Sequence, residues 1–172
     1  KYLKLHTGQT VHFPDSYLEV LTTHEDILPL SIRARDGGAY RGMNETTTVF
    51  QIIFDDASVI FLGDAEESNG AALIALYGKN LLSCKYLQGA HHLINDDRSI
   101  YANIRAEKLL APQGRFTVMT RFCDNIRYLT SLFGAENIYF AGDCTYVFTI
   151  KDGNESISYF ESKGYVYDDS GY

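Results

Sequence analysis

Apolar and polar residues first alternate in Thr10-Val11-His12-Phe13 and again in Tyr17-Leu18-Glu19-Val20-Leu21. Pro14-Asp15-Ser16 separates the two runs. Two short strands joined by a turn are predicted. In the second, Tyr17, Glu19 and Leu21 alternate with Leu18 and Val20, so a strand covered on both faces is expected. The pattern lapses from Thr22 to about Glu45, through Pro29, Gly37-Gly38 and Gly42. A loop of that length inside a compact domain is usually functional or mobile. Periodicity returns at residues 46–54 and 58–62, and Asp55-Asp56-Ala57 between them predicts a β-hairpin.

From there strands and helices alternate. Residues 65–77 carry Ala71, Leu73, Ile74, Leu76 and Tyr77 at helical spacing. Glu66-Glu67 sit at the start, where carboxylates suit the positive end of the helix dipole, and Gly78 follows as the stop. A strand is predicted at 85–88, a helix from about 97 to 105, a strand at 108–111, and a close at Pro112-Gln113-Gly114. Residues 120–133 read as one amphipathic helix that buries Ile126, Leu129 and Phe133 and ends at Gly134. Strands at 137–140, 146–150 and 156–160 follow, the last two joined around Asp152-Gly153-Asn154, a strong hairpin signal. Residues 161–172, rich in Tyr, Gly and Asp, read as a flexible tail. No internal repeat or linker divides the 172 residues, so a single α/β (α+β) domain with a mixed sheet is predicted.

Composition narrows the function classes. With 45% apolar and 22% charged residues the chain is of the globular type. A net charge of −7 argues against a simple electrostatic nucleic-acid binder, which draws on clustered Lys and Arg. It leaves room for a metal-assisted phosphoesterase, because a bound cation reverses the local field. Cys84, Cys123 and Cys144 lack C-x-x-C spacing and read as buried small apolar residues. No segment has the length of a membrane span or the form of a signal peptide. The chain opens at Lys1 without Met, which suggests a processed or truncated piece. Its compartment is not readable.

Two polar stations stand at strand ends. Gly63-Asp64 follows the run Ser58-Val59-Ile60-Phe61-Leu62, and His91-His92 follows Tyr86-Leu87-Gln88-Gly89-Ala90. A carboxylate and an imidazole at the C-terminal ends of neighbouring strands can converge on one sheet edge, so they read as half of a metal site. Taken singly each has an ordinary explanation. Asp64 would cap the following helix, and a histidine pair would divide between core and surface.

Four stations in order resemble the metallo-β-lactamase superfamily, within it the branch of competence-type DNA-uptake nuclease domains and related hydrolases. They are Asn44-Glu45-Thr46-Thr47-Thr48-Val49, Phe61-Leu62-Gly63-Asp64-Ala65-Glu66, Leu87-Gln88-Gly89-Ala90-His91-His92 and Leu110-Ala111-Pro112. The resemblance covers residues 44–150 and implies the C-terminal part of an αββα sandwich. It implies a metal-dependent hydrolase, with a zinc- or manganese-bound hydroxide attacking an ester, amide or phosphodiester. Asp64 would bind or bridge metal, and His91 would be the preferred ligand, with His92 in a supporting or substrate-contacting place. Asn44 would stand where the family has a histidine and mark a weakened first metal site. Asp96 would orient a histidine.

The chain departs from the pattern in two places. Leu93 stands where the family has glycine, and no His-x-His-x-Asp-His loop occurs. His6, His12 and His24 do not reproduce that spacing and read as ordinary surface or edge residues. Gly142-Asp143 reads as a turn between strands. There is no nucleophile elbow and no phosphate loop, since Arg35-Asp36-Gly37-Gly38 lacks the lysine and the strand-loop-helix setting. The chain is therefore expected to be inactive alone, its partner being the missing N-terminal half of the domain. The sheet face meeting that half should be apolar and could instead support a homodimer. The rival reading is a non-catalytic partner-binding or self-assembling module on the same scaffold.

Overall fold

The computed structural model describes residues 2, 4–23, 26, 43–54, 57–79, 81–94 and 98–161. Strands β1 (Thr10–Phe13), β2 (Ser16–Thr22), β3 (Val49–Phe54) and β4 (Ala57–Phe61) form an antiparallel meander. Then β5 (Leu82–Gln88), β6 (Ile104–Ala111) and β7 (Ile138–Phe140) add in parallel, giving one seven-stranded mixed sheet in sequential order. Each parallel addition needs a crossover, and a helix supplies it. Helix α1 (Glu67–Tyr77) lies between β4 and β5, α2 (Arg98–Asn103) between β5 and β6, and α3 (Arg115–Arg121) with α4 (Cys123–Phe133) between β6 and β7. The fold class is α/β, as the alternation predicts.

The core lies between helices and sheet. Leu73, Ile100, Val118 and Leu129 from the four helices pack with Ile60 and Leu87 from the strands. Tyr86 alternates with Leu87 in β5, so it faces the other side of the sheet. There the antiparallel hairpin of β8 (Cys144–Lys151) and β9 (Asn154–Glu161) docks, with Phe148 against Tyr86 and Tyr139 at ring separations of 4.9 and 5.0 Å. The hairpin turn takes positive φ at Asp152 and Gly153, as its sequence predicts. No helix among the described residues is long and apolar enough to cross a membrane.

Several expectations need correcting. The predicted helix over 120–133 is two helices broken at Phe122, whose φ of −130° leaves the helical region. Gly114, read as a close, precedes the first of them. Residues 43–46 form a 3-10 turn, so β3 begins only at Val49. Asp64 does not cap α1; Glu66 does, in a reciprocal capping box with Asn69. Cys84 and Cys144 are buried but Cys123 is exposed, and all three are free thiols. A cleft of about 710 Å³ over the N-terminal ends of β4–β6 has a mixed lining, with Gln51, Lys85 and Glu107 beside Ile53, Ala57 and Cys84. Most of the 22–45 stretch, and all but the first residue of the 161–172 tail, lie outside the described residues.

Candidate functional site

The C-terminal ends of β4, β5 and β6 meet at one edge of the sheet. After β4 the chain turns at Leu62-Gly63-Asp64-Ala65, closed by the Ala65 N–H donating to the Leu62 carbonyl at 3.1 Å. Gly63 has φ of +57°, and a Cβ there would stand 2.9 Å from Thr47 Cγ2. A larger residue would meet both strain and crowding. The side-chain oxygen of Gln88, the last residue of β5, accepts the Gly63 N–H at 2.8 Å, and beyond it the His91 N–H donates to the Gly63 carbonyl at 2.8 Å. Both backbone groups of Gly63 are therefore taken by the end of β5 and the histidine loop that follows it. The two predicted stations are bound to each other.

The histidine loop is strained. His91, His92 and Leu93 have φ of 44°, 55° and 64°, three consecutive non-glycine residues in the left-handed region. Each costs on the order of 1–2 kcal/mol relative to right-handed backbone. Such strain persists only where surrounding contacts over-determine it, and it concentrates at working sites.

The two imidazoles differ in their partners. Asn44 Nδ2 donates to Glu66 Oε1 at 2.8 Å and faces His91 Nδ1 at 3.3 Å, with Glu66 Oε1 4.0 Å from that nitrogen. A carboxylate only accepts, so the Asn44 amide is oriented by Glu66 and presents a donor to His91. Neutral His91 then carries its proton on Nε2. His92 is the reverse. Its Nδ1 lies 2.9 Å from the Pro112 carbonyl, which can only accept, so Nδ1 holds the proton and Nε2 keeps an open lone pair. A carbonyl holding one ring N–H is how basic and metal-bound histidines are oriented. The hydrogen bonding thus favours His92 over His91 as a donor. The two ring centroids are 6.5 Å apart.

No hydrogen bond or ion pair engages the Asp64 carboxylate among the described residues. Asp96 and His24 lie outside those residues. His6 pairs with Asp26 through Nδ1 at 3.1 Å, and His12 Nε2 lies 3.2 Å from the Thr10 hydroxyl. Among the described residues no group of three or more His, Cys, Asp or Glu side chains gathers closely enough for a metal. A stable zinc site needs three or four protein ligands, so the Asp64 and histidine donors do not fit a resident metal by themselves.

Sequence reasoning gave Glu66 and Gln88 no role at this edge. Glu66 reads as a helix-dipole carboxylate, and its reach to Asn44 spans 22 residues. Gln88 stands inside the matched motif and could have been found there. The turn predicted at Gly142-Asp143 forms, and Asp143 Oδ1 also accepts the Arg115 N–H at 2.9 Å at the start of α3. Gly142 and Gly114 pass so closely that a Cβ on Gly142 would overlap the Gly114 backbone. No family model matches the chain, and no curated protein matches it.

Proposed function

We propose that the chain is the C-terminal portion of a metallo-β-lactamase-type hydrolase domain, whose edge at Asp64, His91 and His92 serves hydrolysis of an ester or phosphodiester. The supporting observation is the joining of the two motif stations: Gly63, beside Asp64, donates its N–H to the Gln88 side chain and accepts the His91 N–H. Asp64 and His92 supply two donors of the kind zinc or manganese takes, and completing the set requires ligands beyond the described residues. The chain alone is therefore inactive. The test is metal titration and hydrolysis of bis(p-nitrophenyl) phosphate by the chain and its D64N and H92A variants. Weak zinc binding that falls roughly tenfold or more in each variant, without turnover, is expected. Metal affinity indifferent to both substitutions, or turnover that persists in D64N, would sink the reading.

A second reading is a self-assembling module. It is favoured by the β8–β9 hairpin, whose outer edges have no strand partner among the described residues and whose Tyr159 and Phe160 are 67% and 62% exposed. Light scattering with and without zinc separates the two. Association indifferent to metal supports the second.

A further inference from the structure

Two helices each send a buried polar side chain to the backbone of the histidine turn. Tyr101 of α2, 2% exposed, accepts the Ala90 N–H on its hydroxyl oxygen at 2.9 Å. Asn125 of α4, 5% exposed, directs Nδ2 to the carbonyls of Leu93 and Ile94 at 3.3 and 3.4 Å. Polar groups at that depth are unfavourable unless bonded, and these bonds bracket the left-handed residues 91–93 on both sides. Apolar packing completes the bracket. The Leu93 side chain, 1% exposed, folds onto Gly89, where a Cβ would overlap Leu93 Cδ2. Gly89 in turn donates to the Leu110 carbonyl at 2.8 Å.

We infer that Tyr101 and Asn125 are positioning residues for the histidine pair, holding the left-handed run so that the His92 N–H meets the Pro112 carbonyl and its other ring nitrogen faces outward. This rests on the reading of the histidine turn as the working part of the edge. The physical ground is that left-handed backbone in three successive L-residues relaxes unless it is held. Relaxation at any one of them rotates the His92 ring away from Pro112 and removes what selects its tautomer.

The test is long-range nitrogen–proton NMR of the imidazoles in the whole chain, without metal or substrate, at about pH 8 where imidazole is neutral. In the native chain His92 should give a single signature, protonated at Nδ1 and bare at Nε2. N125L and Y101F should lose it, both ring nitrogens moving toward a common averaged position. L129A, which removes core packing from the same helix as Asn125, should retain the native signature. Y101F deletes one oxygen and keeps the ring, so it carries the test if N125L does not fold. The inference is overturned if His92 is already mixed in the native chain, if Y101F leaves its spectrum unchanged, or if L129A disturbs it as much. Because no metal or hydrolysis enters the measurement, its failure and that of the hydrolase reading are separate events.

Discussion

Asp26 is an exposed residue held by three partners, and its chemistry is set by them. Its carboxylate accepts the Thr7 N–H at 2.7 Å, lies 3.1 Å from His6 Nδ1 and accepts the Thr23 hydroxyl at 2.8 Å. The Thr7 N–H first, then His6 and Thr23, hold its pKa well below the usual carboxylate range. A carboxyl whose folded pKa is depressed contributes stability above its unfolded value near 4, and that stability is lost as pH falls toward the lower folded value. Thermal melts should therefore drop between about pH 4 and pH 2, and D26N should melt lower at neutral pH with a flatter acid limb. An unchanged acid limb in D26N would refute this role. Little of this was readable from sequence. Asp26 falls where the periodic pattern lapses, and His6 stands 20 residues away with nothing local to distinguish it. By contrast Asp64 and His91-His92 were legible, because each closes an apolar run, while the orientation of each ring depends on Asn44 and Pro112 across long sequence separations.

Among the elements, the β8–β9 hairpin is tied to the sheet by one charged residue as well as by its aromatic contacts. Glu155 meets Lys108 Nζ at 2.6 Å and Lys85 Nζ at 3.8 Å and accepts the Tyr86 hydroxyl, all beneath the hairpin with about 16% of its side chain exposed. Burial raises its pKa, but the bonds from Lys108 and Tyr86 and the charges of the two lysines prevail and leave it below the ordinary value. Burial first, then the Glu155 bond and charge, push the Tyr86 phenol well up. Removing Glu155 leaves two mostly buried cations unmatched. E155A should cost roughly 3 kcal/mol in urea unfolding, with hydrogen exchange accelerating first in β8 and β9 while the seven-stranded sheet stays protected. Uniform acceleration across both sheets would contradict a separately anchored hairpin. The hairpin itself was legible from strand alternation around Asp152-Gly153-Asn154. The break at Phe122 was not, since phenylalanine is no helix breaker and only the packing of two helices against one sheet places a bend there.

For the molecule as a whole, a mixed sheet with helices followed from the alternation of periods, whereas the sequential strand order and the cleft lined by residues from four strands were not readable. The hairpin carries four exposed apolar side chains, Val147, Ile157, Tyr159 and Phe160. Strand β9 carries no Lys or Pro, the usual guards of an open edge. If the self-assembly reading holds, copies pair through it, and S158K should weaken association roughly tenfold by setting lysines at a shared edge. Sedimentation over a range of concentrations measures it, and equal association of S158K and the native chain would exclude β9 as the contact.

Gly63 joins two turns at one edge of the sheet. With its donor and its acceptor both spent on the neighbouring loop, the Asp64 turn and the histidine turn travel as one piece. The backbones that carry the carboxylate and the imidazoles are therefore held together before any guest arrives.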